Sequence, residues 1–589
     1  MASSPSDQSD GPVEIVVKCD GKEIQDSAAI LSVHVESEIN RIPVATVTLI
    51  DGSVAENSFP LTDGKSCVPG TKIEIQAGYG NRAVKTIFKG IIVGQRLALR
   101  SSSGSTLELQ CRDEAIKMTE GRRCAVFKKK TDSSIMGDLV KEAGLTFTGD
   151  STSKTYESLV QYQCSNWDFL LARAEYNGLI ICVSGGEVSA KKPDFSASPD
   201  LVVTYGLDVI AFEAENSSID QHTSFQSVGW DIQSQAIKSE AVKPGGANKW
   251  GNISSKKLAD VSSTKVTLYD TFANQDASEL KTLASARSVR AELSSQSGQV
   301  TFQGNAAAKP GHTIQIKGVG DRFGGTALIS GVKHEIENGD WITQTRLGHP
   351  SDWLTDNPGI DAPGAAGLSG PIRGLHVAKV TKLSDDPIDQ KQIQVHVPFF
   401  GDDAEPIWAR LTTNYATNAS GIMFLPEIDD EVIVGFLQDD PSAPVILGSV
   451  HSSSLPCPED VQDDKNDIKT IVTREKLKLT FKEDTKTIIL ETPAGNTVTI
   501  DDDQKAITLA DQHGNTIKMD QGGIAIDSKS DISLTAAGNI TTKSTADTKM
   551  SAANLSANAN MSFSAAGNAS AELKASGTVT VKGAMVMIN

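Results

Sequence analysis

Aromatic residues are scarce in this chain, and in its last fifth they almost vanish. Phe, Trp and Tyr make up 5% of the 589 residues, and beyond Phe481 only Phe563 remains. A core filled by large rings is therefore excluded for that stretch. Positive charge is short as well. Fifty-five Lys and Arg stand against 74 Asp and Glu, a net charge of −19, and no basic run exceeds Lys128-Lys129-Lys130. That balance argues against nucleic acid as a partner, and the three lysines read as a solvated turn. The seven cysteines show no C-x-x-C spacing, which argues for a reducing compartment and against a zinc cluster. Cys19, Cys111, Cys124, Cys164 and Cys182 mostly stand in apolar company and read as core residues. No apolar run approaches the ~20 residues that span a bilayer. Met1 to Gly11 lacks the charged start and apolar core of a secretory signal, so synthesis and assembly in the cytoplasm are expected.

Catalytic and metal-binding signatures are missing too. There is no G-x-S-x-G and no H-E-x-x-H, and the nine histidines are scattered. His376, His396 and His451 fall in one β-rich segment, where a histidine is usually hydrogen-bonded rather than ligating. Asp463-Asp464-Lys465-Asn466-Asp467 and Asp501-Asp502-Asp503 have calcium-loop composition without the spaced ligands or closing Glu, and read as solvated turns. Gly318, Gly320 and Gly324 have the wrong spacing for a phosphate loop, and no helix follows. No catalytic, cofactor-binding or metal-ligating residue is assigned, and no cofactor is expected.

What is present is periodicity. From 469 to 589 the apolar residues come as i, i+2 pairs: Ile488/Leu490, Val498/Ile500, Ile507/Leu509, Ile517/Met519, Ile524/Ile526, Ile532/Leu534 and Val579/Val581. This is the mark of strands buried on one face. Turn pairs such as Gly495-Asn496 and Gly514-Asn515 separate them at a repeat-like spacing. One such chain cannot bury these residues or close its strand edges. Several copies wound about a common axis do both, with small side chains sharing a narrow interior. An intertwined β-helical needle is expected over 469–589, against a disordered tail where the apolar pairs thin out, at 544–575. At roughly eight residues per rung and a ~4.8 Å strand spacing, about 120 residues give a rod on the order of 70 Å long.

Ahead of the needle the chain divides into several parts. After a flexible start (1–12), residues 13–125 carry six strand signals, Val13–Val17, Ile30–Val35, Val44–Leu49, Lys72–Ala77, Thr86–Gln95 and Leu107–Arg112, appropriate to a barrel or sandwich. A helix-containing insertion (126–199) follows. Ser133 is expected to cap a helix carrying Ile135, Met136, Leu139 and Val140, with Gly144 ending it. Asn166 is expected to cap a second with Trp167, Leu170, Leu171 and Ala174 on one face and Gly178 as its stop. Residues 200–355 return to strands, with a helix around Ala277–Leu293. A Pro/Gly linker (356–373) leads to a compact β-domain (374–452) with strand signals at Gln392–Val397, Ile407–Leu411, Gly421–Leu425, Glu431–Phe436 and Val445–Leu447, appropriate to an OB-type barrel. A second linker (453–468) precedes the needle. Acidic loops (Asp385-Asp386, Asp402 to Glu405, Asp429 to Glu431) would repel phosphate from that barrel.

Three stretches carry a family resemblance. Ser165 to Gly178 resembles a hub segment of VgrG-type spikes (valine–glycine repeat protein G) and phage baseplate hubs. Pro310 to Ile314, Gly318 to Gly325 and Gly331 to His334 look like the second barrel of that hub. The most specific match is Ile393 to Pro398, Trp408 to Arg410, Gly421 to Phe436 and Asp440 to Gly448, similar to the VgrG OB-fold. The resemblance implies a mainly β chain: a hub of two β-barrel domains with a small α/β insertion, an OB-fold barrel and a C-terminal intertwined triple-stranded β-helix needle. It also implies a homotrimer that caps a hexameric inner tube, carries a PAAR-type tip protein, contacts baseplate proteins and carries non-covalent effector cargo in some cases. Sheath contraction would then drive it into a target membrane, with no bond catalysed and no effector domain after Asn589. Type VI secretion, an extracellular phage-tail-like particle and a phage tail share this plan. An enzyme hidden in the hub and a surface adhesin on a β-solenoid stalk are the alternatives.

Overall fold

The computed structural model describes residues 3–8, 11–24, 29–80, 83–100, 104–231, 234–246, 250–269, 276–354, 364–367, 369–458 and 464–588. Most of the expected first linker, including Asn357-Pro358-Gly359, and Asp463 in the second lie outside the described residues. The chain separates into two units, Met1–Gly448 and Ser449–Asn589.

In the first unit, six strands arise where the sequence signals them: β1 Val13–Cys19, β2 Ile30–Glu38, β3 Val44–Ile50, β4 Lys72–Tyr79, β5 Lys85–Arg100 and β6 Gly104–Arg112. Four more come from the later half: β7 Val209–Asn216, β8 Gln296–Gln303, β9 Gly325–Glu337 and β10 Asp340–Leu347. The two halves do not form separate sheets. A single 13-stranded sheet contains the run β7–β8–β10–β9–β2–β3–β6–β5–β4–β1, with the short strands Lys22–Glu23, Leu201–Thr204 and Thr313–Lys317 at its margins, and antiparallel pairing of β9 with β2, from Gly331 opposite Glu38 to Glu337 opposite Ser32, joins the halves. The sheet encloses two cores. Val33, Val35, Val47, Leu49, Ile75, Leu107 and Leu109 fill the first, and Val300, Phe302, Ile314 and Ile329 the second. The joining strands serve both, giving Ile336 and Trp341 to the first core and Val332 and Leu347 to the second. Each such buried aliphatic contributes about 1.5–3 kcal/mol relative to its exposed state. Gly304 shows how close the packing is, because a Cβ there would occupy the Trp341 ring.

The insertion has its own core around helices α1 (Asp132–Glu142) and α2 (Asn166–Tyr176). Both helices begin one cap earlier than expected. Thr131, rather than Ser133, accepts from the Ser134 amide and caps α1, while Ser133 pairs with Thr152. Ser165, rather than Asn166, accepts from the Asp168 amide at 3.0 Å and caps α2. A hydroxyl three residues before a free amide meets it, and in each case a hydroxyl stood just upstream of the residue chosen from the sequence. Gly178 follows α2 with φ of +67°, the left-handed conformation that suits glycine. Trp167 is buried in this core. A third helix, α3 (Ser255–Ser262), has no counterpart in the sequence reading, and α4 spans Ala277–Ser294 with a capping box of Asp276 and Glu279.

Polar groups tie the insertion to α4. Asp132, almost fully buried, receives Arg173 Nε at 2.6 Å and Nη2 at 2.9 Å, with Tyr156 and Asn177 completing the set. Burial opposes the charge on Arg173, yet Asp132 outweighs it and raises the guanidinium pKa. Lys154 bridges to Asp276 at 2.6 Å and Glu279 at 2.9 Å, and Arg290 meets Glu175 at 3.0 Å.

The small barrel closes through β11 Leu375–Lys382, β12 Ile393–His396, β13 Ile407–Leu411, β14 Glu431–Phe436 and β15 Pro444–Ser449, in the order β11–β12–β13–β15–β14. Ala378, Val380, Val395, Ala409, Val432, Val434 and Ile446 fill it. One strand assignment from the sequence is corrected. Gly421–Leu425 is not a barrel strand: only Ser420–Gly421 pairs, with Ala416–Thr417, and Ile422 to Leu425 are exposed. The fifth barrel strand is β11, whose inward residues are the small Ala378 and Val380.

Candidate assembly surface

The second unit begins as a seven-stranded antiparallel meander: β16 Ile468–Val472, β17 Lys478–Lys482, β18 Thr487–Glu491, β19 Thr497–Asp501, β20 Ala506–Ala510, β21 Thr516–Asp520 and β22 Gly523–Asp527. The sequence reading left these edges to be paired between chains. Within 468–527 each strand instead pairs with its successor in the same chain.

The register sorts the side chains by face. Phe481, Ile488, Ile500, Ile507, Met519 and Ile524 lie opposite one another in one column, and Leu479, Leu490, Val498, Leu509, Ile517 and Ile526 in the next. Every i, i+2 pair identified from Ile488 to Ile526 lies on this face. The other face carries Thr470, Thr480, Thr487, Ile489, Thr499, Ala506 and Thr508. Burial is the reverse of what that chemistry favours. Thr480, Thr487 and Ala506 are buried at 3%, 5% and 7% exposure, while Ile488, Leu490, Ile507 and Leu509 are 38–49% exposed and Ile524 reaches 72%. A contiguous apolar face of this extent is larger than the scattered exposed residues usual on a monomeric surface.

Beyond β22 the architecture changes. Residues 528–588 contain no strand or helix, and their main chain bends at 529–530, 537–538, 545–546, 553–554, 560–561, 568–569, 576–577 and 584–585. The bends are spaced seven or eight residues apart and continue through 544–575, where apolar pairs are hard to find in the sequence. No main-chain to main-chain hydrogen bond forms among the described residues of 528–588. Main-chain N–H and C=O groups require partners, from water or from another chain. Ile532, Leu534, Leu555, Phe563, Val579 and Met585 are all exposed.

The residues weighed for chemistry make local hydrogen bonds and ion pairs. His376 Nε2 meets the Arg373 carbonyl at 3.1 Å, His396 Nε2 the Gly401 carbonyl at 3.2 Å, and His451 Nδ1 the Leu455 carbonyl at 3.2 Å. Asp501 accepts from the Gln504 amide at 2.8 Å, and Asp386 accepts from the amides of Ile388, Gln390 and Gln392, so both shape turns. Lys130 pairs with Asp138 at 2.6 Å. Gly318 and Gly320 adopt positive φ in the turn before β9. Among the described residues, no group of three or more His, Cys, Asp and Glu is placed to hold a metal ion.

The chain thus combines a β hub, a closed small barrel and a meander with an open aliphatic face. Residues 376–451 match the type VI secretion system/phage-baseplate injector OB domain, and residues 9–338 match the Alg8 N-terminal domain. The chain belongs to the Alg8 N-terminal domain family and, through its injector OB domain, is similar to VgrG-type spike proteins. It is 36% identical over 58 residues to the type VI secretion system spike protein VgrG4b of Pseudomonas aeruginosa, covering 10% of this chain and 7% of that one. It is 30% identical over 101 residues to VgrG5 of the same organism, covering 16% and 13%. The matched segments thus span well under two thirds of those relatives. A 43 kDa tail protein of prophage MuSo2 from Shewanella oneidensis is similar at 10% identity and a TM-score of 0.43, covering 58% of this chain and 99% of that one.

Proposed function

We propose that three copies of this chain form the central hub and spike of a contractile injection system. The observation that carries this reading is the second unit: an aliphatic face left open over β16–β22, followed by about sixty residues with regular bends and no internal main-chain pairing. Copies wound about one axis would cover the first and supply hydrogen bonds to the second. The hub would cap a hexameric inner tube and seat in the baseplate. The exposed Met585 to Ile588 end would receive a tip protein of PAAR type, with effector cargo carried non-covalently. Assembly would take place in the cytoplasm, followed by translocation into a target envelope on sheath contraction. Its contact with the target membrane would be transient and mechanical, with no bond made or broken and no role for nucleic acid.

The test is deletion of the gene in the cells that carry it, with restoration by the intact chain or by Ile507→Asp. Loss of assembled or penetrating sheath–tube particles, restored only by the intact chain, is the expected result. Particles of normal number and activity without the protein would refute the role.

A further inference from the structure

A cleft of about 570 Å³ lies where three parts of the hub meet: β5, the insertion, and the turn that leads into strand Thr313–Lys317. Each part brings one lysine to it, Lys89, Lys191 and Lys309 respectively. In the insertion, strand Glu187–Lys191 pairs with Thr146–Gly149 on one side and Ile180–Ser184 on the other. Alternation buries its Val188 and Ala190 in the insertion core and leaves Glu187, Ser189 and Lys191 on the face that walls the cleft. Lys309 opens a tight turn with Pro310 and Gly311 at its centre. The His312 amide donates to the Lys309 carbonyl at 3.3 Å, and Gly311 has φ of +82°, as a type II turn requires. Lys89 lies opposite Glu74 of β4 and bridges to it at 3.3 Å. Its stem runs past the insertion hairpin, where a Cβ on Gly185 would come 3.4 Å from Lys89 Cβ. Strand pairing and a proline turn thus fix all three lysines in the main chain.

Their charges are only partly answered. Glu187 is the one carboxylate among the lining residues, and it accepts from Thr148 Oγ1 at 3.1 Å. Lys191 and Lys309 form no ion pair among the described residues, and His312 at the rim is engaged by Asp200. On a chain of net charge −19, three cations around one carboxylate concentrate positive potential in a walled space, where it acts most strongly on small anions. We propose that this cleft binds a small anion of the polyphosphate class. Lys191 and Lys309 would be its main contacts, with Lys89 shared between the anion and Glu74. An ammonium group is a compact charge with three donors, suited to the tetrahedral oxygens of a phosphate. The hydroxyls of Ser37 and Ser184 also line the cleft and add neutral donors. The volume falls in the range of small-molecule sites and exceeds what a single phosphate fills, so an anion of several linked phosphates fits it best. This inference stands apart from the proposed spike role and holds for the hub in any assembly.

The experiment is calorimetric titration of the full chain with tripolyphosphate. A single saturable site per chain is expected, weakened by added salt. Lys191→Gln and Lys309→Gln should each weaken binding by about tenfold, the loss of one charge-assisted contact. Lys192→Gln, next in sequence but outside the cleft lining, should leave it unchanged. Glu187→Gln should tighten binding several-fold by removing the repelling carboxylate, a gain that a damaged fold cannot imitate. The absence of saturable binding would overturn the assignment, as would a Lys191→Gln/Lys309→Gln double variant that binds as the intact chain does. Binding of a polyglutamate peptide in place of tripolyphosphate, lost in the same double variant, would equally overturn it and assign the cleft to an acidic protein segment.

Discussion

The hub sheet and the tail meander use the same pattern and bury opposite faces. In β2 and β3 alternate residues Val33, Val35, Val47 and Leu49 are sealed inside. In β18 to β20 the alternate residues Ile488, Leu490, Ile507 and Leu509 are open, and Thr487 and Ala506 are buried instead. A period of two fixes which side chains share a face, but not what covers that face. The hub strands have a second half of the same chain to pair with, through β9. The tail meander pairs only with itself, and its aliphatic face is left open.

The comparison can be broken most forcefully at the tail. Ile507→Asp puts a carboxylate on the open aliphatic face, once per copy. If copies meet there, each buried charge is unpaired and assembly should fail outright, because burying an isolated carboxylate is among the costliest substitutions. Size-exclusion chromatography with light scattering checks it. The same substitution at Thr508, on the opposite face of the same strand, should be tolerated far better.

Within the hub the largest expected effect is local to the insertion. Asp132→Ala leaves the largely buried Arg173 without its partner and should cost about 3–5 kcal/mol, read as faster hydrogen exchange in α1 and α2 with the tail unchanged. A pH effect comes next. Burial lowers the pKa of His334, at the shared strand β9, to about 4. Its folded-state pKa thus lies below the ordinary value near 6.5, so stability is intact above that value. It declines as pH falls toward about 4, by about 3 kcal/mol from this residue. His334→Asn should flatten that slope, followed by the fluorescence of the neighbouring Trp341 in urea titrations. The smallest effect is Asp276→Ala, which removes the α4 cap for about 1 kcal/mol and should appear as local exchange at the start of that helix.

These contrasts also show why some features were legible in the sequence and others were not. The six early strands and the tail pairs announce themselves by alternation of Val, Ile and Leu, and the helices by Trp167 and Leu170 spaced with glycine stops. The run Ile422 to Leu425 is apolar without alternation, which made it look like a barrel strand, although its side chains are exposed. Strand β11 was hidden for the converse reason: its inward residues are the small Ala378 and Val380, with lysines and a histidine between or beside them. The joining of the hub halves through β9 and β2, about 300 residues apart, leaves no local signal. In 544–575 the regular element is the bend spacing of the main chain, which small residues such as Ala, Ser and Asn allow but do not spell out.

The central claim, that the tail is an element completed only by other copies, is tested most directly by solution mass. The full chain should have a native mass three times 62.4 kDa, and a chain ending at Asp463 should have that mass lost or sharply concentration-dependent. A full chain that stays monomeric under native conditions, or a truncated one that remains fully trimeric, would contradict the account.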